Sequence, residues 1–262
     1  MKGVEFPNIN EVINPILDVK IFESETSTIK DLKKSYLKYI DENRKLPKIK
    51  IFNIFASALL ERSMRGESYT KRIQLMNEKW KSYVDITEES VKEILKEAGY
   101  RFPSAGVEVI LKLKELTEKN FVCADYFKEA ENDYENNFPN DKFLNIKYVG
   151  YKVRDFALSE FSKFYLANDI HVIRMIKRTG LIVNGYGDTD IGTNPSNIKE
   201  YLFLKRLIVR LSKESGWEKG EGYSPGEIDK IFWHFGRNIC MANPLCNQCP
   251  IKNICLTGRN RK

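Results

Sequence analysis

The sequence predicts an all-α protein, and three observations carry that reading. Apolar residues recur at three- and four-residue intervals through most of the chain, capping residues stand ahead of several of those runs, and no persuasive period-two strand interrupts them. Four of the five cysteines then crowd into the last 23 of 262 positions, which marks the C-terminus as a metal-binding loop.

Taken in order, Ile29, Leu32, Tyr36, Leu37 and Ile40 share a helical face. Leu46-Pro47 opens a more hydrophobic helix from Ile49 to Met64, suited to the centre of a bundle. Thr87 caps a helix with Glu88 and Glu89 in its first turn and Val91, Ile94, Leu95 and Ala98 on its apolar side. Val107, Ile110, Leu111 and Leu113 follow Pro103-Ser104, and Cys123, in Phe121-Val122-Cys123-Ala124, reads as a small buried hydrophobe. The stretch from Phe143 to Ala157 reads as a short helix, a tight hairpin at Val149-Gly150 and a second helix with Val153, Phe156, Ala157, Phe161 and Phe164 on one face. Asp169 stands where it caps the next helix, whose apolar positions include Ile170, Ile173 and Ile176. Asp188-Thr189-Asp190-Ile191-Gly192 resembles the start of a calcium loop, but Lys199 stands where the required glutamate would be, so a solvated turn is expected. Ser224-Pro225-Gly226-Glu227 is a capping box with proline at the first helical position; its helix should run through Ile228, Ile231, Phe232 and Phe235 to Cys240.

A hydrophobic content of 42% is enough to bury a core. The N-terminus lacks the apolar segment of a signal peptide, and the longest nearly apolar stretch, Ile51 to Leu60, is too short to span a bilayer. A soluble, intracellular, cytoplasmic protein without membrane association is the expectation. In that reducing compartment clustered thiols bind metal in preference to pairing as disulfides. With 43 Lys and Arg against 36 Asp and Glu, the net charge of +7 favours polyanionic partners.

Cys240, Cys246, Cys249 and Cys255 are separated by gaps of five, two and five residues. Structural zinc usually shows two CxxC pairs and a longer spacer, whereas one CxxC with a lone cysteine on either side favours an iron–sulfur cluster; zinc remains the alternative. Hairpin amides ahead of a helix bind a phosphate oxygen well, and Lys152 falls in the first turn of that helix. An amine so placed is a candidate nucleophile, set against the simpler reading of one surface lysine among many. Asp169, 17 residues later, is a candidate for stabilising positive charge on a reacting sugar, or an N-cap alone.

A Gly150-x-Lys152 hairpin, then Asp169-Ile170-His171-Val172, then Phe235-Gly236-Arg237-Asn238-Ile239-Cys240 leading into the cysteines, resembles the helix–hairpin–helix, Gly-Pro-Asp superfamily of DNA glycosylases. The nearest branch is the endonuclease III group, which carries a C-terminal [4Fe-4S] loop. The resemblance runs from Leu144 to Cys255, with a weaker echo in Ala58-Leu59-Leu60-Glu61-Arg62-Ser63. It implies a two-lobed fold: a helical barrel over residues 46–145, an iron–sulfur domain from 1–45 plus 167–262, and the hairpin over 139–166 at the junction. It implies base-excision repair on double-stranded DNA containing a damaged base or abasic site, by a monomer. Lys152 would form a Schiff base with the sugar, Asp169 would be the essential aspartate, and β-elimination would cleave the strand. Tyr148, Val149, Gly150, Arg62, Lys252 and Arg259, with Arg261, would meet DNA, and Cys240, Cys246, Cys249 and Cys255 would hold the [4Fe-4S] cluster. The sequence departs from the family at Tyr148, where glycine is usual, at Lys147, where proline is common, and in a first cysteine gap of five against six. A monofunctional glycosylase and a catalytically silent iron–sulfur DNA-binding protein are the alternatives.

Overall fold

The computed structural model describes residues 7–21, 27–61, 66–118, 123–182 and 198–260, the side chains of 66 and 67 excepted. Asp188-Thr189-Asp190-Ile191-Gly192, Arg62 and Arg261 lie outside the described residues. The helices are α1 (Ile9–Ile16), α2 (Ile29–Asn43), α3 (Lys48–Leu59), α4 (Gly66–Lys79), α5 (Glu88–Glu97) and α6 (Pro103–Glu118). After them come α7 (Cys123–Asn132), α8 (Tyr151–Ser159), α9 (Ile170–Thr179), α10 (Ile198–Glu214), α11 (Pro225–Asn238) and the single turn α12 (Leu256–Arg259). Among the described residues the only extended pairing is one isolated antiparallel bridge between Lys20 and Thr28. The all-α expectation holds.

The chain divides into two compact units, residues 39–167 and residues 1–38 with 168–262. Residues 139–166 therefore group with the unit that holds 46–145, as do residues 39–45.

In the unit of residues 39–167, α3 is the centre. Every side chain from Ile51 to Leu59 is buried, which is what a helix apolar on all sides requires, and α3 packs against α8, α4 and α6. Of its polar interior residues, Asn53 donates to Asn77 Oδ1 at 3.0 Å while its own Oδ1 is buried without a partner among the described residues, and Ser57 Oγ receives the Arg72 Nε proton at 3.2 Å. The helix stops at Leu59, short of the expected Met64, because the Leu60 and Glu61 amides bond back three residues, to Ser57 and Ala58, and tighten the last turn. Phe55 on α3 packs on Phe143 (5.2 Å between centroids) and Phe161 (6.2 Å), which lie just before and just after the hairpin and α8. Phe127 stacks on Phe161 at 4.8 Å. Aromatic pairs of this kind add about 0.5–1.5 kcal/mol each beyond burial, so both ends of the hairpin element are pinned to the central helix. Cys123 opens α7 half-buried, where burial first of all pushes its thiol above the ordinary value.

In the other unit α9 packs against α11 and α12, α10 against α11, and α1 against α10. The apolar stripes of α1 (Ile9, Val12, Ile13, Ile16), α9 (Val172, Ile173, Ile176) and α11 (Ile228, Ile231, Phe232, Phe235) are all buried. The capping box expected at Ser224 forms in both directions, Glu227 N–H donating to Ser224 Oγ at 3.3 Å and Ser224 N–H to Glu227 Oε2 at 2.8 Å. The helix ends at Asn238, two residues before Cys240, since the Ile239 and Cys240 amides converge on one acceptor, the Phe235 carbonyl.

Candidate functional site

Asp141 accepts the Phe143 amide at 3.0 Å and starts a short 3₁₀ turn, Lys142–Asn145, after which the chain reverses into α8. Tyr148, where the resemblance leads one to expect glycine, has a left-handed backbone: its φ is +72°. The turn is built with a left-handed non-glycine residue, about 1–2 kcal/mol of strain. The Tyr148 ring is 39% exposed, and Lys147 Nζ lies 4.7 Å from its centroid.

Gly150 caps α8 with no side-chain cap bond, and its φ of −105° is open to any residue. A Cβ built there meets nothing within 4 Å. Neither conformation nor crowding within the chain calls for glycine, and the missing side chain leaves the first amides of α8 open to an incoming anion. Lys152, the second residue of α8, is exposed and has no hydrogen-bond or ion-pair partner among the described residues. Val149, by contrast, is 7% exposed and its amide is spent on the Ile146 carbonyl at 3.0 Å, so neither its side chain nor its N–H is offered outward.

A buried arginine holds this element in place. Arg154 donates from Nε to Asp155 at 2.8 Å, from Nη1 to Asp141 at 3.0 Å and to the Phe138 carbonyl at 2.9 Å, and from Nη2 to the Asn137 carbonyl at 2.6 Å. Burial works against the guanidinium charge, and Asp155 and Asp141 more than offset it. One side chain thereby fixes α8 to the 137–141 loop, whose Asn137 and Phe138 both have positive φ.

Asp169 lies in the other unit. Its Oδ1 accepts the His171 amide at 2.8 Å and the Val172 amide at 3.0 Å, which caps α9 and leaves Oδ2 without a donor among the described residues. Gly236 on α11 lies against His171: a Cβ there would lie 3.0 Å from His171 Cβ and 3.1 Å from the His171 carbonyl, so glycine sets the close approach of α11 to the start of α9.

Cys240, Cys246, Cys249 and Cys255 line one cavity of about 350 Å³ that opens to solvent, together with Arg178 and Thr179 from α9 and Phe235 from α11. Arg178 laces the loop to α9 through the carbonyls of Cys240 (3.2 Å), Met241 and Ala242 (2.8 Å), and Cys255 donates its thiol proton to the Arg178 carbonyl at 3.0 Å. Burial and the neighbouring thiols push Cys249 up to about 11; burial also raises Cys240 while Arg178 opposes it. The four sulfurs share one space and feel one another. Among the described residues no three His, Cys, Asp or Glu side chains are set to hold a single metal ion.

No family model matches the chain. An 8-oxoguanine DNA glycosylase/AP lyase of Thermotoga petrophila is 29% identical over 167 residues, 62% of this chain and 69% of the relative. Endonuclease III of Thermotoga maritima is 26% identical over 241 residues, 89% of this chain and 94% of the relative. Among solved structures, the Methanocaldococcus jannaschii 8-oxoguanine glycosylase/lyase in complex with 8-oxoguanine-containing DNA superposes with a TM-score of 0.59 at 20% identity, over 85% of this chain and 95% of that one. The 8-oxoguanine DNA glycosylase of Thermotoga maritima gives 0.55 at 21% identity, over 79% and 89%. The chain has the helix–hairpin–helix DNA glycosylase fold.

Within that glycosylase fold, the hairpin residues Tyr148 and Gly150 stand beside Lys152 at the N-terminus of α8, and the four cysteines stand together. Lys252 is half-buried with Nζ 3.4 Å from Asn247 Oδ1, and Arg259 is exposed with Nη2 bound to the Ile254 carbonyl at 2.8 Å. Gly258 belongs with them, since a Cβ there would lie 2.4 Å from the Lys252 carbonyl. The sequence reading missed Arg154 and Arg178, which fix the hairpin element and the cysteine loop in place. Their partners are carbonyls and carboxylates far along the chain, and only their position inside otherwise apolar helix faces hinted at burial.

Proposed function

We propose that the protein is a bifunctional DNA glycosylase/AP lyase of base-excision repair that removes an oxidised purine of the 8-oxoguanine type from double-stranded DNA. The observation that carries the reading is Lys152, an exposed amine without a partner among the described residues, in the first turn of a helix whose entrance Gly150 leaves open. The curated relatives include glycosylase/AP lyases, and a structural neighbour was solved on DNA containing 8-oxoguanine.

The open amides of α8 bind a DNA phosphate and set the register of the strand. An extruded nucleotide then presents its sugar, with an unstacking cost of a few kcal/mol. The deprotonated Lys152 Nζ attacks C1′ as the bond to the base breaks, and the base leaves with a proton. Asp169 Oδ2 faces the cationic sugar while Oδ1 stays committed to the α9 amides. Loss of the nitrogen proton and ring opening give the imine, a 2′ proton is removed, and the 3′ phosphate departs by β-elimination.

The same reading assigns Cys240, Cys246, Cys249 and Cys255 as ligands of a [4Fe-4S] cluster. The cavity that the four cysteines share supports it. When bound, the cluster supplies cross-linking of the loop and no redox step. Lys252 and Arg259 on that loop then face the DNA backbone.

Borohydride trapping tests the proposal. Wild type should be captured covalently on duplexes bearing 8-oxoguanine or an abasic site; binding without capture would replace the enzyme by a silent DNA-binding protein.

A further inference from the structure

The α8 helix carries more chemistry than Lys152. Lys152, Phe156 and Glu160, the residue that closes α8, are spaced four apart and fall along one strip of the helix. Tyr69 from α4 packs edge-on against Phe156, 5.6 Å between centroids. Glu160 is 5% exposed, and its Oε2 accepts two phenolic protons, from Tyr39 at 2.6 Å and from Tyr69 at 2.8 Å. Burial first, and the Glu160 charge second, hold both phenols above their ordinary values, so both remain donors. Nearby, Glu61 is pushed up by burial and by Glu160, and Arg72, 2.7 Å from Glu61 Oε2, opposes that. Among the described residues nothing donates to Glu160 Oε1.

A carboxylate this deep, with one oxygen fully used and the other idle, is a poor structural staple. Unlike the orphaned Asn53 Oδ1 and Asn168 Oδ1, Oε1 is not sealed from solvent, so it is open to the N–H donors of an incoming ligand. We propose that Glu160 reads the extruded base, Oε1 accepting from the adjacent N–H donors on the edge of a guanine-type purine, while Tyr39 and Tyr69 fix the carboxylate. The assignment rests on the glycosylase reading and adds a specificity-determining residue to it. An ionised carboxylate accepts only. Guanine-type bases place a ring N–H beside an amino group, two donors side by side. Adenine sets its amino group beside an acceptor nitrogen, and oxidised pyrimidines flank the ring N–H with carbonyls, so each turns lone pairs toward the carboxylate.

The test compares single-turnover excision of 8-oxoguanine with that of 8-oxohypoxanthine, which keeps the ring N–H and the 8-oxo group and lacks the amino donor. Wild type should excise 8-oxoguanine about ten- to a hundredfold faster, the worth of one hydrogen bond to a charged acceptor. Glu160→Gln should lower 8-oxoguanine excision by a similar factor and bring the two bases together, with borohydride trapping on abasic DNA unchanged. Wild type that traps on abasic DNA yet excises the two bases equally overturns the Glu160 assignment and leaves the lyase reading standing. So does Glu160→Gln that excises like wild type, or that loses trapping and excision in the same proportion. Wild type that never traps removes the lyase reading and this assignment together. The wild-type comparison stands even where the variant fails to fold.

Discussion

At φ +72° the Tyr148 backbone sits where an L-residue is strained, and Tyr148→Gly should relieve more than the added chain entropy of glycine takes back. A gain of about 0.5–1 kcal/mol in urea unfolding is expected, whereas a loss would mean that packing of the ring outweighs the backbone strain. Asp169 separates two roles in one side chain. Asparagine caps a helix about as well as aspartate, so Asp169→Asn should melt with wild type while losing most base excision, and Asp169→Ala should lose both excision and about 1 kcal/mol of stability. An Asp169→Asn variant that excises normally would reduce Asp169 to a cap. Residue roles of this kind were legible where a short motif fixes local geometry: Asp169, Thr87 and Ser224 all cap as read. Nothing in the sequence shows that Tyr148 takes a positive φ; the pull of the turn exceeds a single residue's penalty.

At the scale of elements, α8 is held by a charge pairing that no spacing rule reveals. Arg154→Met would leave Asp141 and Asp155 buried without their cation, a loss of about 3–5 kcal/mol that thermal unfolding would register; a change below 1 kcal/mol would mean the aspartates find other partners. The reason for illegibility is physical: Arg154 is one position from Asp155 but 13 from Asp141, and its other acceptors are loop carbonyls. Glu160 with Tyr39 and Tyr69 is hidden in the same way, its donors arriving from α2 and α4. The apolar run of α3, in contrast, announced a central helix by composition alone. On α11, burial and then Lys230 and Arg237 depress His234 to about 4. Its folded value lies below the unfolded value of about 6.5, so only the unfolded chain takes up the proton between them. Stability should therefore fall as pH drops from about 6.5 to 4, by on the order of 2–3 kcal/mol, and His234→Gln should flatten that slope in pH-dependent urea melts.

For the whole molecule, the net charge of +7 and the open α8 terminus predict duplex affinity that falls steeply with salt, each neutralised phosphate adding about 0.9 to the log–log slope. No helix among the described residues is long and apolar enough to cross a membrane. The fold was legible because helical periodicity, caps and the motif order all agree. The central claim is that Lys152 is the nucleophile of a covalent reaction on DNA. The measurement that tests it most directly is borohydride trapping of wild type and Lys152→Gln on duplex DNA carrying 8-oxoguanine or an abasic site. The account predicts a covalent adduct with wild type and none with Lys152→Gln, which still binds DNA; an equal adduct with Lys152→Gln would contradict it.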